Sequence, residues 1–272
     1  MLDADAVRAY LGNGWAGVEV RALGSVASTN DLAWAWAEAG CAEGTSIFAE
    51  EQVQGRGRHG RTWVCPRGRG ILVSVVLRPP GGEAGPAHVT ALAALAAAEA
   101  IEETAGLEAM IRWPNDVTLR GRKAAGVLVE CRGQRASPCV VGIGLNVNTR
   151  SEEFPEELRE RATSLAIEAG RAFEREAVAG ALLRRLQARY RDALEGRWEQ
   201  VAAEWRRRAA LLGEAVTVQA EGRDHVGRLV ALDPLAGITL ELAGGESRAF
   251  RAEDATRVVV GGGRGRGRGR GR

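Results

Sequence analysis

The fold of this chain is decided around "GTSIFAEEQVQGRGRHGRTWVCPRGRGILVSVVLRP", residues 44–79. The two ends, "GTSIFAEEQ" and "GILVSVVLRP", are rich in apolar and β-branched residues and predict two strands. The Arg-Gly loop between them contains Gly55, Arg56, Gly57, Arg58, Gly60 and Arg61. Such a loop is consistent with a nucleotide-binding turn, a nucleic-acid contact or a solvated surface hairpin.

The loop glycines also spell G-x-G-x-x-G, but their context excludes a dinucleotide-binding fingerprint. That fingerprint needs a turn of small residues that opens a helix, and an acidic residue about 20 positions later. Here arginines crowd the turn, Trp63 and Pro66 follow it, and no Asp or Glu occurs between Arg61 and Gly82.

Two explanations of the loop stay open at this point. One is a solvated basic hairpin. The other is an anion-binding loop, in which glycines let backbone N–H groups approach an anion and arginines add planar donor forks. A loop of the second kind could hold a carboxylate against an α-phosphate, which is the arrangement that forms an acyl-adenylate.

The segments outside this stretch predict an α/β domain followed by a small β domain. Helices are predicted at "VASTNDLAWAWAEAG", with Ser28 or Thr29 as the cap, at "GPAHVTALAALAAAEAIEETAG", and over residues 174–209 with a break near Gly196. Short strands and antiparallel hairpins are predicted from "IRWPNDVTLRGRKAAGVLVECR" to "PCVVGIGLNVN". Five further short strands follow Leu212 and suit a small barrel.

We therefore expect domains at residues 1–210 and 211–260 and a disordered Arg-Gly tail at residues 261–272. The tail segment "GGGRGRGRGRGR" has no apolar residue to bury. The formal net charge of the chain is +2, but without the five tail arginines 32 basic residues face 35 acidic ones. The basic character therefore belongs to the tail and does not indicate a basic binding face on the folded body.

Composition places the chain among ordinary globular proteins, with 45% hydrophobic and 26% charged residues. No apolar run is long enough for a membrane span and no signal peptide is visible, so we expect a cytoplasmic protein. The cysteines, which are Cys41, Cys65, Cys131 and Cys139, form no C-x-x-C and are expected to be reduced thiols. The three histidines are far apart, which leaves a metal site or a hydrolase triad with little support.

Three further segments carry polar residues at turns and strand ends. "RWPNDV" supplies Asn115 and Asp116, "KAAGVLVE" places Lys123 before small residues that leave room for a ligand, and "GIGLNVN" combines glycines with amides. Each has an ordinary structural explanation, as turn formers, a surface lysine and packing glycines respectively. Their occurrence together and in this order favours a site.

The order of "STN", "GRGRHGRTW", "RWPNDV", "KAAGVLVE", "GIGLNVN" and "ATSL" resembles the biotin–protein ligases, also called biotin–[acetyl-CoA-carboxylase] ligases. The resemblance extends over about residues 20–260. It implies a mixed-sheet catalytic domain like that of class II aminoacyl-tRNA synthetases and a small SH3-like C-terminal barrel. It also implies that biotin and ATP, with Mg²⁺, give biotinyl-5′-AMP, from which biotin passes to a lysine of a biotin carboxyl-carrier protein.

The resemblance also assigns roles to individual residues. Lys123 and Arg58 are expected to be catalytic, with Lys123 holding the biotin carboxylate and the α-phosphate. The biotin-binding residues are expected to be Ser28, Thr29, Asn30, Gln52, Arg56, Gly57, Arg58, Trp63, Lys123 and Gly126. The ATP-binding residues are expected to be Arg58, Arg61, Asn115, Asp116, Asn146 and Arg257, with Asp116 also near the Mg²⁺ that ATP carries.

The chain departs from the family in three ways. About 20 residues precede the core, which is too few for the DNA-binding domain of some members, so a ligase without specific DNA binding is expected. An aromatic residue to stack on adenine is not evident in "RERATSLAIEAG", and the tail is not part of the family pattern. The rival functions are a lipoate–protein ligase and an Arg-Gly-rich nucleic-acid-binding protein, since the tail could attract polyanions weakly.

Overall fold

The computed structural model describes residues 1–13, 19–79, 85–132, 138–209, 211–252 and 254–261. The predicted disorder of the tail concerns residues that lie, apart from Gly261, outside this description. The chain divides into two compact units, Met1–Ala209 and Ala210–Arg272.

The first unit is built on a mixed sheet of seven strands. These are β1 (Val20–Val26), β2 (Ser46–Gln52), β3 (Gly70–Leu77), β4 (Met110–Arg112), β5 (Asp116–Leu119), β6 (Arg122–Cys131) and β7 (Cys139–Asn146). Their order across the sheet is β1-β2-β3-β7-β6-β5-β4. Strand β1 runs parallel to β2, and every other neighbouring pair is antiparallel. The two strands predicted on either side of the Arg-Gly loop are thus confirmed as the pair β2 and β3.

Six α-helices accompany this sheet in the described part of the chain. They are α1 (Ala4–Leu11), α2 (Thr29–Glu38), α3 (Pro86–Ala105), α4 (Leu165–Ala169), α5 (Arg175–Leu194) and α6 (Trp198–Ala209). Helix α3 has Pro86 in its first turn and ends at Gly106, whose φ of 67° is the left-handed conformation that glycine adopts easily. Ser28 occupies the N-cap position of α2, but its side chain accepts no capping hydrogen bond. None of the described helices has the length and hydropathy required to span a membrane.

Side chains of the sheet alternate between two covered faces. Helix α2 packs its apolar side against Ile47, Val76 and Val140, which lie on one face. Positions of the opposite parity, such as Val75 and Val141, are fully buried as well, and α3 and α5 contact the central strands. The strands therefore read as nearly continuous apolar runs, and polar residues within them call for an explanation.

The second unit is one antiparallel sheet of five strands. These are β8 (Ala215–Ala220), β9 (Arg223–Asp233), β10 (Gly237–Leu242), β11 (Ser247–Phe250) and β12 (Ala255–Val260), in the order β11-β10-β9-β8-β12. The five strands expected after Leu212 are confirmed. Alternate residues, including Val218, Leu229 and Leu240, are buried and form the core of this unit.

The cysteines differ from expectation. Cys131 and Cys139 form a disulfide, so the prediction of four reduced thiols is wrong for this pair. The antiparallel register of β6 and β7 places the two residues directly opposite each other. The two cysteines form no closely spaced motif such as C-x-x-C, and only strand pairing brings them together, so no pattern along the chain indicated the disulfide. Cys41 and Cys65 are free.

Candidate active site

The candidate site lies on the face of the sheet that also carries α2. Strand register places Asp116 of β5, Gly126 of β6 and Gly144 of β7 side by side. The register shifts between Val117 and Thr118, which leaves Ala124 as an extra residue in β6. Such a bulge turns the residues before it to the other face, and it brings Lys123 onto the face of Asp116 and Gly126.

Asp116 links the two cations that flank it. Its Oδ1 lies 2.5 Å from Lys123 Nζ, and its Oδ2 lies 3.1 Å from Arg112 Nη2. The main chain of Lys123 is fixed independently, because its N–H donates to the Arg161 carbonyl and its carbonyl accepts from the Thr163 N–H. The lysine predicted to be catalytic is thus held in place by its backbone, while its ammonium group has a carboxylate partner that an incoming anion can replace.

Two glycines form a flat floor beneath Trp63. A Cβ atom at Gly144 would lie 2.6 Å from indole Nε1, and one at Gly126 would lie 3.1 Å from indole Cζ3 and 3.0 Å from Lys123 Nζ. Lys123 Nζ is 5.3 Å from the centre of the Trp63 ring, within the range of a cation–π contact. Only glycine at these strand positions lets the indole lie on the sheet beside the ammonium group. The buried Nε1–H of Trp63 has no acceptor among the described residues.

The Arg-Gly loop is a narrow hairpin. The Gly57 N–H donates to the Arg61 carbonyl and the Trp63 N–H donates to the Gly55 carbonyl. A 3₁₀ turn over Arg58–Gly60 closes the tip, with His59 and Gly60 at φ of 55° and 71°. A tip in the left-handed conformation accounts for Gly60, whereas His59 is a residue that adopts this conformation less readily.

Arg58 is the arginine at the tip of this loop. It is partly buried and forms no ion pair with any residue that the structure describes. Burial lowers the pKa of its guanidinium, the carboxylate of Asp116 raises that pKa, and the neighbouring Arg61 lowers it again. A guanidinium keeps its charge in any case. Arg58 therefore presents a desolvated positive charge that an anion would neutralise.

Arg56 has a different environment from Arg58. Its guanidinium donates to both oxygens of Asp31, at 2.8 and 2.7 Å, and lies 3.5 Å from Glu130 Oε1. The hydrogen bond from Arg56 lowers the pKa of Asp31. The predicted role of Arg56 in covering biotin is untested, but its side chain is already satisfied by two carboxylates.

Polar residues at the start of α2 form a buried cluster with β2 and β3. Gln52 Oε1 accepts from the Thr29 backbone N–H at 2.8 Å and lies 2.9 Å from Thr29 Oγ1. Ser74 Oγ lies 2.7 Å from Thr29 Oγ1 and 2.6 Å from Asn30 Oδ1. Ser28, Thr29, Asn30 and Ser74 are all almost fully buried. Four of the residues predicted to meet biotin, Ser28 to Asn30 and Gln52, are thus next to one another.

The two predicted nucleotide-side amides differ in how they are bound. Asn115 donates to the Val127 carbonyl at 2.6 Å and holds the turn against β6. Asn146 donates to the Thr163 carbonyl at 3.0 Å, but its buried Oδ1 has no donor among the described residues. An acceptor in this state is open to a donor from a ligand. Arg257 lies in β12, in the second unit.

A metal centre made by the protein alone has no support in the described part of the chain. No group of three or more His, Cys, Asp or Glu side chains there could hold an ion. Both oxygens of Asp116, the predicted neighbour of Mg²⁺, already face cations.

Sequence reasoning missed five residues that the fold brings into this site: Asp31, Ser74, Arg112, Glu130 and Thr163. Glu130 had a usable signal, because it stands four residues after Gly126 in the same strand and so shares its face. Asp31 follows the "STN" segment, where its position favours a helix-start residue and conceals its role as a counter-ion. Ser74 and Thr163 had weaker signals, as a hydroxyl inside the apolar run of β3 and as part of the "ATSL" motif, but their partners are distant in sequence.

Known proteins resemble the chain in both sequence and structure. Residues 23–148 match the biotin/lipoate A/B protein ligase family. The bifunctional ligase/repressor BirA of Bacillus spizizenii is 32% identical over 230 residues, which cover 84% of this chain and 71% of that protein. The biotin–[acetyl-CoA-carboxylase] ligase of Mycobacterium tuberculosis is 35% identical over 256 residues, which cover 89% and 91%.

A solved structure, biotin protein ligase from Aquifex aeolicus in complex with biotin and ATP, is 29% identical and superimposes with a TM-score of 0.76. The match covers 89% of this chain and 98% of that one. The resemblance seen in the sequence motifs is confirmed, and the chain belongs to the biotin protein ligase family.

Proposed function

We propose that this protein uses ATP to activate biotin as biotinyl-5′-AMP and then transfers the biotinyl group to a lysine of a biotin carboxyl-carrier protein. The observation that carries the proposal is the cationic centre beside the glycine floor. Lys123 and Arg112 each contact one oxygen of Asp116, and Arg58 is near enough for that carboxylate to raise the pKa of its guanidinium. Three cations against one carboxylate leave an excess of positive charge at a partly buried point, which suits two anions that must be brought together.

In the first step, a carboxylate oxygen of biotin forms a bond to the α-phosphorus of ATP. The bond from that phosphorus to the bridging oxygen breaks, and pyrophosphate leaves with the electron pair. Negative charge accumulates on the equatorial oxygens of the α-phosphate, and a fixed cation there stabilises the transition state. Lys123 fits this role, because its backbone is held on both sides and its ammonium group can exchange Asp116 for the phosphate.

In the second step, the neutral amine of a carrier lysine attacks the acyl carbon of the adenylate. The acyl carbon–oxygen bond breaks, AMP leaves, and the amine proton passes to solvent. The mixed anhydride must be kept from water until the lysine arrives. The Arg-Gly hairpin suits this task, because it carries Arg58 and leads into Trp63, which lies over Gly144.

Asn146 is our candidate for recognising the nucleotide. Its buried Oδ1 lacks a donor among the described residues, and an exocyclic amino group or a ribose hydroxyl would supply one. Asn115 and Arg61 stay predictions on the ATP side, as does Arg257 in the second unit. No residue is assigned to stack on adenine.

Mg²⁺ is proposed to arrive on the phosphates of ATP. The described residues form no metal cage, and Mg²⁺ commonly keeps its waters and binds through phosphates with one or two carboxylates. Asp116 would have to give up Lys123 or Arg112 before it could bind the ion. When bound, Mg²⁺ would neutralise part of the charge on the phosphates.

One experiment tests the proposed function directly. A purified carrier domain is incubated with the protein, biotin and MgATP, and the intact mass of the carrier is measured. We expect a gain of one biotinyl group that requires ATP and the acceptor lysine. A carrier of unchanged mass, together with no biotin-dependent exchange of pyrophosphate into ATP, would exclude the proposal.

A lipoate–protein ligase is the second candidate, because the matching family model covers both biotin and lipoate ligases. Exchange of labelled pyrophosphate with biotin and with lipoate, side by side, separates the two. Nucleic-acid binding through residues 261–272 is tested by deleting them and measuring RNA binding over a range of salt concentrations. The class II synthetase-like and SH3-like descriptions of the two units, and a cytoplasmic location, stay predictions.

A further inference from the structure

The buried cluster at the start of α2 continues to a carboxylate that has no role so far. Asn30 Nδ2 donates to Glu130 Oε2 at 2.8 Å, and Glu130 Oε1 lies 3.5 Å from Arg56 Nη2. Glu130 is placed firmly, since Val140 is its partner across β6 and β7 and the next residue, Cys131, forms the disulfide. A continuous path of polar atoms therefore leads from Thr29 through Ser74 and Asn30 to Glu130.

The hydroxyl groups in this path have too few protons to satisfy every contact at once. Ser74 has one hydroxyl proton, but its Oγ lies within hydrogen-bond distance of both Thr29 Oγ1 and Asn30 Oδ1. Thr29 also has one, and its Oγ1 contacts both Ser74 and Gln52. Each hydroxyl can donate once and can accept as well. The path must therefore be ordered in one of two directions.

Glu130 selects the direction, because an ionised carboxylate only accepts hydrogen bonds. The Asn30 amide must then turn its NH₂ group toward Glu130 and its oxygen toward Ser74. Ser74 then donates to Asn30, so the shorter contact between Thr29 Oγ1 and Ser74 Oγ, at 2.7 Å, takes the hydroxyl proton of Thr29. The contact between Thr29 Oγ1 and Gln52 Oε1, at 2.9 Å, is left without a proton. Gln52 Oε1 keeps the Thr29 backbone N–H, at 2.8 Å, as its donor. In the reverse direction, Asn30 would turn its amide oxygen toward the carboxylate, which is repulsive.

We propose that Glu130 is a positioning residue that fixes the direction of the hydrogen-bond chain Thr29–Ser74–Asn30 and thereby the donor and acceptor pattern offered to biotin. The inference rests on the proposed function, in which Thr29 and Asn30 meet the ureido group. That group has two N–H donors and one carbonyl acceptor, so it discriminates between the two directions. With the chain directed toward Glu130, the lone pairs of Thr29 Oγ1 stay open to an N–H donor.

Glu130→Gln tests this assignment with little change in shape. Glutamine can donate to Asn30 Oδ1, so it permits the reverse direction. We expect the KM for biotin in pyrophosphate exchange to rise by on the order of tenfold, as for the loss of a hydrogen bond to a charged group. The KM for ATP should stay within about twofold of wild type, because the hydrogen-bond chain does not reach the Lys123 side of the site. Glu130→Asp, which keeps the carboxylate, should recover part of the loss.

Ser74→Ala provides the second arm, because it interrupts the chain between Thr29 and Asn30. If Glu130 acts through the chain, the double variant Ser74→Ala/Glu130→Gln should bind biotin no more weakly than Ser74→Ala alone. The proposal is overturned if the effects of the two substitutions on biotin binding multiply, as independent effects do. It is also overturned if Glu130→Gln raises the KM for biotin and the KM for ATP equally, or leaves the KM for biotin within about twofold of wild type.

The wild-type protein separates this proposal from the proposed function. If wild type exchanges pyrophosphate only with lipoate, the proposed function fails, because lipoate has no ureido group, and only the measurement on the Asn30 amide applies. If it does so with neither acid, the proposed function fails, and nuclear magnetic resonance of the Asn30 side-chain amide tests the chain alone. If the signal of an Asn30 amide proton shifts in Glu130→Gln and the proton exchanges faster with solvent, the result supports the hydrogen-bond chain. An unchanged signal excludes it.

Discussion

Gly144→Ala adds one methyl group to the floor of the site, and its effect follows from the geometry. The new Cβ would lie 2.6 Å from both Cζ2 and Nε1 of Trp63, and nearer still to Cε2. Ordinary carbon contacts are about 3.5 Å or longer, so the indole must withdraw by roughly 0.9 Å or more. Gly144 is in the middle of β7, paired on both sides, and cannot retreat. The movement must therefore come from Trp63 and the loop.

Overpacking of this kind costs about 1–3 kcal/mol. Since about 1.4 kcal/mol corresponds to a factor of ten, kcat/KM for biotin-dependent exchange should fall by roughly 5- to 150-fold. Trp63 is outside the named strands and can swing away from the sheet. The strain should therefore disfavour the closed site rather than the folded state, with a decrease in Tm of less than about 2 °C.

Gly85→Ala is the matched control. It is the same substitution, but a Cβ at Gly85 meets no atom within 4 Å, and the residue has an ordinary φ of −75°. The assay is pyrophosphate exchange at varied biotin concentration, with thermal unfolding of each variant. Gly85→Ala should match wild type in kcat/KM, and its Tm should fall by no more than about 4 °C, because Gly85 is the N-cap of α3 and alanine is less favourable there.

A Gly144→Ala variant whose kcat/KM lies within about twofold of wild type would refute the idea that Trp63 must lie on this floor. A large fall in Tm would instead mean that the strain is carried by the whole unit. The double variant Gly144→Ala/Trp63→Phe should lose less than the product of the two single effects, because the smaller ring removes part of the overlap.

Four further predictions concern single residues. Lys123→Gln should slow adenylate formation by on the order of 10²–10³ with little change in Tm, as measured by single-turnover release of pyrophosphate; unchanged release would exclude the assigned role. Arg58→Gly should release biotinyl-AMP from a loop that no longer closes, and it should label albumin more than wild type does while it still forms adenylate; equal labelling would argue against closure. Burial raises the pKa of the Cys65 thiol to about 12, so iodoacetamide at about pH 8 should modify Cys65 far more slowly in the folded protein than after unfolding, as read by peptide mass spectrometry. Burial by itself raises the pKa of the Glu50 carboxyl. The hydrogen bonds from Arg175 and the Leu2 N–H together have a larger, opposite effect, so this pKa lies below its usual range. The ionised Glu50 carboxylate therefore stabilises the folded protein above about pH 4.3, and this stabilisation is lost as the pH falls through the lower pKa of the folded state. Between about pH 4.5 and 3, the Tm of Glu50→Gln should therefore fall less steeply than the Tm of wild type.

The sequence by itself determined most of the strands and helices and the family, and it supplied candidate residues for the site. Apolar runs bounded by glycine and proline predicted β2, β3, α3 and the five strands of the second unit, because hydrophobic periodicity and turn chemistry are local properties. The ordered motifs predicted the ligase family, and the residues predicted to meet biotin at the start of α2 lie next to one another in the fold. The order of these motifs, and the resemblance they carry, also predicted Lys123 and Asp116 as residues of one site.

The tertiary structure alone decided which charges meet. Arg56 and Arg58 are two positions apart in one loop and have the same side chain, but Arg56 is bound by two carboxylates, whereas Arg58 has no ion pair in the described part of the chain. The partners of Arg56 come from α2 and β6, and no pattern along the chain encodes that distance. The disulfide between Cys131 and Cys139 and the path from Thr29 to Glu130 depend in the same way on strand register. The residue types are a property of the sequence, but pairing is a property of the packed fold, because a charge or a hydrogen-bond donor is satisfied only by the atoms that folding brings within about 3 Å of it.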